Sequence, residues 1–375
     1  MDMRGKKEMI YRQLGNTGIK ISVLSFGTMR WTSEESCYET IQKGIDAGMN
    51  YFDTSTGYVE GKSEIWTGKA VKDRRSEVYF SSKSQYGSAP SESAVRKSIE
   101  NSLKKAGLEY FDFYQLWGLS NMDMLREAAK KRGFLEGVRK AKDEGLIKYG
   151  TGFTFHGTAD VFKAAVDSGE FICATVSYNL MNRKEEEQIR YAGENGVGIF
   201  IMNPLAGGVL AMAGEQKYDF LKDKDSGTWY GALRFLLANR NITAALIGLS
   251  LPDQIEKNLK VLDNLEELDE AYRAGLIEKI DRIELEKKGL CTGCRYCEVC
   301  PKKFSPSKLM QILRDFKLYG MKKHDLKNWI YSRYVHDQPP ELQLKKCIEC
   351  GKCQSKCPQK LEILAEIRKT KSIFR

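Results

Sequence analysis

Two stretches near the C-terminus carry residues whose type and spacing suit metal chemistry. They are CTGCRYCEVCP, residues 291–301, and CIECGKCQSKCP, residues 347–358. Eight of the ten cysteines lie in them: Cys291, Cys294, Cys297 and Cys300, then Cys347, Cys350, Cys353 and Cys357. Thiolates are soft ligands that select zinc or iron–sulfur clusters. Four-thiolate zinc sites typically take two cysteines from each run, whereas each run here holds four and closes on proline. Two 4Fe-4S clusters are therefore expected in preference to zinc, and disulfides are less expected in a reducing compartment. Cys37 and Cys173 stand alone, as inert packing cysteines do.

A second constellation lies far upstream. FDTSTGY places Asp53 at the end of a strand candidate and Tyr58 on the loop after it, and another strand candidate ends at Lys83. An ammonium beside a phenol favours the phenolate and lowers the tyrosine pKa, while a carboxylate holds the lysine charged and in place. On that reading Tyr58 is a candidate proton donor at neutral pH.

The elements that must position these groups alternate. Strand candidates fall at 21–27, 50–55, 77–83, 110–117, 147–153, 172–178, 198–202 and 244–250, after a short hairpin around Leu14–Gly18. Helical stretches lie between them; in ESAVRKSIENSLKKAG, Val95, Ile99 and Leu103 recur at fourfold spacing. Eight strands each followed by a helix predict an α/β chain folded as a (β/α)8 barrel. An open doubly wound sheet also alternates, but SFGTMRWTSEES after the first strand has no GxGxxG phosphate loop. In such barrels chemistry gathers at the C-terminal strand ends. The expected division is residues 1–285 as the barrel and 286–375 as a mostly helical cluster-binding domain.

Composition narrows the function class. No apolar run reaches the ~18 residues of a membrane span, and MDMRGKKEMIY lacks the apolar region of a secretory signal. A soluble, cytoplasmic protein is expected. The net charge is +10, but residues 287–375 hold 21 Lys or Arg against 8 Asp or Glu, and the remainder is slightly acidic, 39 against 42. A solvated lysine-rich surface accounts for this, as does a face for an acidic partner. A small-molecule substrate is expected, and nucleic acid is not.

FDTSTGY, the Lys83 strand end, NPLAGGVL (203–210) and IGLSLPDQIEKNL (247–259) resemble the aldo-keto reductases over about residues 9–265. The resemblance implies that Asp53, Tyr58 and Lys83 are catalytic and that a nicotinamide cofactor, NADP or NAD, lies across the barrel mouth. It implies cofactor contacts from Tyr178, Asn179, Pro204, Leu205, Gly207, Gly248, Ser250, Gln254 and Asn258, with backbone N–H groups at the start of the helix after the last strand offered to a phosphate. Gln254 stands where NADP-preferring members often carry arginine, so the choice between NAD and NADP stays open. The family's fourth catalytic residue is a histidine, and FYQLWGLS puts Trp117 in its place. An indole N–H donates one hydrogen bond but neither accepts one nor titrates. Either the indole shapes the pocket of a carbonyl reductase, or the barrel reduces another group such as an activated double bond. Trp31, Trp229 and Tyr230, in predicted loops, are candidate pocket walls.

The spacing of the second cysteine run, C-x2-C-x2-C-x3-C-P, is similar to bacterial ferredoxins, in which the fourth cysteine ligates the other cluster. That likeness implies one cluster on Cys291, Cys294, Cys297 and Cys357, and another on Cys347, Cys350, Cys353 and Cys300. The spacer of about 46 residues holds two amphipathic helix candidates, SKLMQILRDFKLYGM and HDLKNWIYSRYV. The tail thus resembles helical dicluster ferredoxin modules, and the whole chain resembles the ferredoxin-bearing branch of the aldo-keto reductases. A hydride carries two electrons and a 4Fe-4S cluster passes one, so a flavin is a further candidate cofactor. An acidic electron carrier such as ferredoxin or flavodoxin is a candidate partner. Three functions stay open: an oxidoreductase fed with electrons through the clusters, a nicotinamide-dependent carbonyl reductase with structural or sensory clusters, and a non-catalytic relay protein.

Overall fold

The computed structural model describes residues 8–212, 216–223, 226–285, 291, 297–318, 323–334, 339–357 and 360–374. The chain divides into two compact units, one of residues 1–208 with 221–276 and the other of 209–220 with 277–375. The division at 276/277 falls within the helix Glu270–Leu285, ahead of the boundary expected at 285/286.

The first unit is built on a hairpin, β1 (Tyr11–Gln13) and β2 (Lys20–Ser22), followed by eight parallel strands. These are β3 (Leu24–Gly27), β4 (Tyr51–Asp53), β5 (Tyr79–Gln85), β6 (Phe111–Leu119), β7 (Ile147–Phe155), β8 (Cys173–Ser177), β9 (Gly198–Met202) and β10 (Ala244–Ile247). They close in chain order, with β10 pairing β3. The closure has a simple cause. The strands are short and mostly buried, and a parallel sheet covered by helices leaves no exposed edge when it closes.

The hairpin residues Leu14, Ile19 and Ile21 pack with Tyr51, Phe113, Cys173, Phe200, Ala244 and Leu246 in one core cluster. Within it the Tyr51 and Phe200 rings stack at 4.1 Å. This plug fills the barrel below the strand ends. Helix ends follow local chemistry: the Ser91 side chain accepts from the Ala94 N–H at the start of Glu92–Ala106, and left-handed Gly107 stops that helix.

The second unit contains the helices Pro306–Leu318, Leu326–Arg333, Pro340–Lys345 and Ile363–Ile373. The first two fall on the two helix candidates of the spacer. Leu309, Leu313, Trp329, Ile330, Leu344, Ile363 and Ile367 are buried, and the Trp329 indole donates to the Ile312 carbonyl at 3.0 Å. No described helix is long and apolar enough to cross a membrane.

Candidate functional site

The register of β4, β5 and β6 sets the distances between the polar groups. Asp53 lies opposite Ser81, Lys83 opposite Gln115, and Gln85 opposite Trp117. Alternation then turns Lys83, Gln115 and Trp117 to one face of the sheet, the barrel interior. Both strands run two residues beyond the expected ends, so Lys83 and Trp117 sit inside the rim, not at its last position.

Lys83 is 1% exposed and Asp53 3%. The ammonium donates to Asp53 Oδ1 and to the Thr54 carbonyl at 2.8 Å. The second carboxylate oxygen, Oδ2, accepts from Gln115 Nε2 at 2.9 Å. Gln115 also donates toward Ser81 Oγ at 2.9 Å, and its carbonyl accepts from Thr175 Oγ1 at 2.9 Å. A buried carboxylate with both oxygens occupied has one orientation, and Lys83 inherits it.

Tyr58 stands over this pair. The Lys83 Nζ lies 4.9 Å from the centre of the Tyr58 ring, and the Trp117 ring meets Tyr58 edge-on at 6.0 Å and 77°. The loop between Asp53 and the helix Ser63–Val71 is pinned from below. Thr28 Oγ1 donates to the Asp53 carbonyl at 2.9 Å, and Ser63 Oγ donates to the Thr28 carbonyl at 2.9 Å. Just after Tyr58, Val59 and Glu60 both take left-handed backbone angles, φ 51° and 55°. Each such residue costs roughly 1–3 kcal/mol, which the surrounding hydrogen bonds must offset.

The electrostatics differ in one respect from the sequence reading. Burial pushes the Tyr58 hydroxyl up; Lys83 opposes this, Asp53 adds to it, and the net direction is upward, not downward. Desolvation of the phenolate outweighs the neighbouring ammonium. Burial likewise raises Asp53 against the pull of Lys83 and Gln115. For Lys83, burial works against the charge, but Asp53 and then Tyr58 outweigh it and the direction is up. The ensemble thus holds a protonated phenol above a charged lysine.

Several expected cofactor contacts are engaged within the scaffold. Tyr178 is fully buried, its ring stacks on Phe235 at 5.9 Å, and its hydroxyl joins Glu186 and Arg273. Its geometry is that of a packing residue. The Asn179 carboxamide donates to the Asn203 carbonyl at 3.0 Å and accepts from the Met181 and Asn182 N–H groups. It therefore ties the turn that carries Pro204, Leu205 and Gly207, in which Asn203 and Ala206 are left-handed.

Beyond β10, Gln254 Oε1 accepts from the Ser250 and Leu251 N–H groups at 2.8 and 3.1 Å, and Asn258 donates to the Gln254 carbonyl at 2.7 Å. These two amides precede the helix Asp253–Leu259, whose own start is where phosphate-facing N–H groups are expected. Gly248 is crowded on one side, because a Cβ there would meet Arg30 Cγ at 2.8 Å.

The aromatic wall candidates separate. Trp31 is buried and donates to Thr67 Oγ1 at 3.1 Å, so it is packing. Trp229 and Tyr230 open a helix, Trp229–Ala238, instead of lying on a loop. Gln115, Thr175 and Ser81 were missed by sequence reasoning. Their signal was polarity at inward positions of otherwise apolar strands, and only the closed barrel shows that they meet.

In the second unit, Cys347, Cys350 and Cys353 line one open pocket together with Cys300, which comes from the other run. Phe304, Pro306 and Leu364 complete its apolar wall. Left-handed Glu349 and Gly351 wrap the loop so that its cysteines face inward. Turns of this kind point successive N–H groups at an anionic group, as in many iron–sulfur sites. The pocket therefore fits a cluster held by the four cysteines named from the crossed pattern.

Of the other set, Cys294 lies outside the described residues. Burial pushes the Cys297 thiol up to about 11, with Glu298, Cys291 and Cys353 adding to the effect. Among the described residues, no group of three or more His, Cys, Asp or Glu closes to the spacing of a single metal ion.

Comparison with known proteins follows the same division. A family model described as the aldo/keto reductase family matches residues 23–230, and one described as a 4Fe-4S dicluster domain matches 290–362. L-Galactose dehydrogenase of Arabidopsis thaliana is 27% identical over 291 residues, covering 68% of this chain and 89% of that protein. L-Glyceraldehyde 3-phosphate reductase of Escherichia coli strain K12 is 24% identical, covering 69% and 89%. The holo form of an aldo-keto reductase from Bacillus halodurans superposes with a TM-score of 0.63 at 25% identity, covering 72% of this chain and 96% of that one. A Klebsiella pneumoniae aldo/keto reductase solved with NADP and acetate shares the fold, with a TM-score of 0.58 at 19% identity and coverage of 71% and 96%.

Proposed function

The chain belongs to the aldo/keto reductase family, and from that premise we propose that it is an iron–sulfur oxidoreductase that reduces a small carbonyl compound or activated alkene, with Tyr58 as proton donor. One observation carries the reading: the buried Lys83–Asp53 pair lies directly beneath the Tyr58 ring, with Trp117 edge-on beside it. When bound, two 4Fe-4S clusters supply single electrons from an external carrier, and NADP(H), present in a relative of this fold, supplies a hydride.

The residues of the barrel have separable tasks. Tyr58 Oη holds the proton that a reduced oxygen or carbon requires, and its raised pKa keeps that proton in place at neutral pH. Lys83 stabilises the phenolate left after transfer, and Asp53, oriented by Gln115, keeps Lys83 charged and aimed. The Trp117 indole N–H makes no hydrogen bond among the described residues. It is a donor available to a substrate oxygen, without the proton exchange a histidine allows. The ring also narrows the mouth beside Tyr58.

Electron supply through the clusters is favoured over hydride delivery alone by the engaged state of the nicotinamide candidates. Tyr178, Asn179 and Gln254 are each tied into the scaffold, while the proton-donating group is complete. For NADP(H) to place a phosphate on the Ser250 and Leu251 amides, Gln254 has to release them.

The test begins with anaerobically purified protein whose iron and sulfide content is known. Reduction of a carbonyl or enone panel is measured with a reduced low-potential carrier and, separately, with NADPH. Carrier-driven turnover that disappears in Tyr58→Phe is expected. Full turnover with NADPH alone, unchanged after cluster removal, would sink the electron-supply reading and leave a nicotinamide-dependent reductase.

A further inference from the structure

The cysteine pocket in the second unit opens to the surface. Its lining comes from Cys300, Phe304 and Pro306, from Cys347–Cys353 and from Leu364. Ile348, within the lining, is 56% exposed, and Val299, next to Cys300 in the chain, 42%. Cys350 is itself exposed, whereas Cys353 and Cys297 are buried. The pocket thus reaches the surface at one cysteine.

The charges around this mouth are unbalanced. Lys302, Lys303 and Lys352 are exposed and form no ion pair among the described residues. The acidic groups of the same segments are engaged. Glu298 accepts from Ser305 Oγ at 2.6 Å and from the Ser307 N–H at 3.0 Å. Glu349 is held by Arg368 at 2.8 Å and Lys371 at 3.0 Å. Elsewhere in the unit Lys317 and Lys369 pair with Glu366, while exposed Lys345, Lys356 and Lys360 form no ion pair among the described residues, so the rim lysines belong to a wider positive surface. Free lysines around a small apolar centre describe a contact face that is positive and only weakly sticky.

We propose that this rim, formed by Val299, Lys302, Lys303, Ile348, Cys350 and Lys352, is the docking face for an acidic one-electron carrier protein. The inference rests on the reading that the cysteine lobe handles electrons, and it adds where the partner binds and what its surface must be. Short-lived redox complexes use small interfaces in which complementary charge steers the encounter. A membrane surface fits less well, because the exposed apolar groups are one valine and one isoleucine, without the large aromatic or leucine face of an interfacial helix.

The test uses the loaded full-length protein and an acidic bacterial ferredoxin as the probe, with the dissociation constant measured anaerobically across a salt series. Lys302→Glu/Lys303→Glu/Lys352→Glu is compared with a control of equal charge change at exposed lysines of the barrel unit, Lys72→Glu/Lys97→Glu/Lys131→Glu. Equal iron and sulfide per chain establishes that both variants are loaded.

Binding that weakens on the order of tenfold in the rim variant and less than about twofold in the control is expected, with the salt dependence flattened only in the rim variant. Ile348→Ser should weaken binding several-fold without changing the salt slope. Equal losses in both triple variants, no loss in the rim variant, or no ferredoxin binding by loaded wild type at low salt each overturns the proposal. So does a rim variant that loses binding to phosphatidylserine vesicles while keeping the ferredoxin. Failure of the electron-supply reading looks different: ferredoxin still binds at the rim, but substrate reduction does not depend on it.

Discussion

The barrel site and the cysteine pocket solve positioning in opposite ways. In the barrel, Asp53, Lys83 and Gln115 are each set by strand register and locked by hydrogen bonds to one another. Removing any ligand leaves that lattice intact. In the second unit, Cys300, Cys347, Cys350 and Cys353 share a pocket, but the first three sit on loops and Cys353 on the short helix Lys352–Ser355, and Glu349 and Gly351 between them are left-handed. Their common partner is whatever they bind. One site is held by the fold; the other helps to hold its own lobe together.

The largest effect that follows concerns cluster removal. Chelation of iron under reducing conditions should expose residues 277–375 to limited proteolysis while the barrel core, including 23–208, stays resistant, since metal binding and folding are coupled in the small lobe. Equal proteolysis of both units would break the contrast. Next, Tyr58→Phe should lower substrate reduction by roughly 10²- to 10⁴-fold, the range for loss of a positioned acid, with thermal stability nearly unchanged.

Lys83→Met strips Asp53 of its partner in a buried site and should cost about 3–5 kcal/mol in urea unfolding. A cost near zero would mean that the pair is not buried as described. Gln115→Leu leaves Asp53 Oδ2 without its donor and should cost about 1–3 kcal/mol, with kcat falling more than KM rises because Lys83 loses its aim. The smallest effect is in the pH profile. Tyr58 donates when protonated, and its pKa is raised, so the donor persists as pH rises and is lost only above the ordinary tyrosine value of about 10. An alkaline limb well below that value would show Lys83 dominating over burial.

Much of this was legible before any coordinates. Alternation of apolar strands with amphipathic helices placed all eight barrel strands, and Asp53, Tyr58 and Lys83 came together as expected. What was not legible follows from closure. Gln115 reads as one polar residue in FYQLWGLS, and its meaning depends on Thr175, sixty positions away and facing it across the barrel. The sign of the Tyr58 shift was misread for a related reason: a neighbouring lysine is visible in sequence, but the depth of burial that outweighs it is not. Trp229 and Tyr230 read as loop residues, yet they begin a helix.

Local rules therefore determined the inventory: which residues can carry protons, which can bind iron, and which segments become strands. Periodicity and ligand chemistry act over a few residues, so a sequence displays them directly. Tertiary structure alone decided how those groups influence one another. Burial, register and the meeting of Cys300 with the distant Cys347–Cys353 loop depend on contacts between segments far apart in the chain, and desolvation and Coulomb energies follow from those contacts.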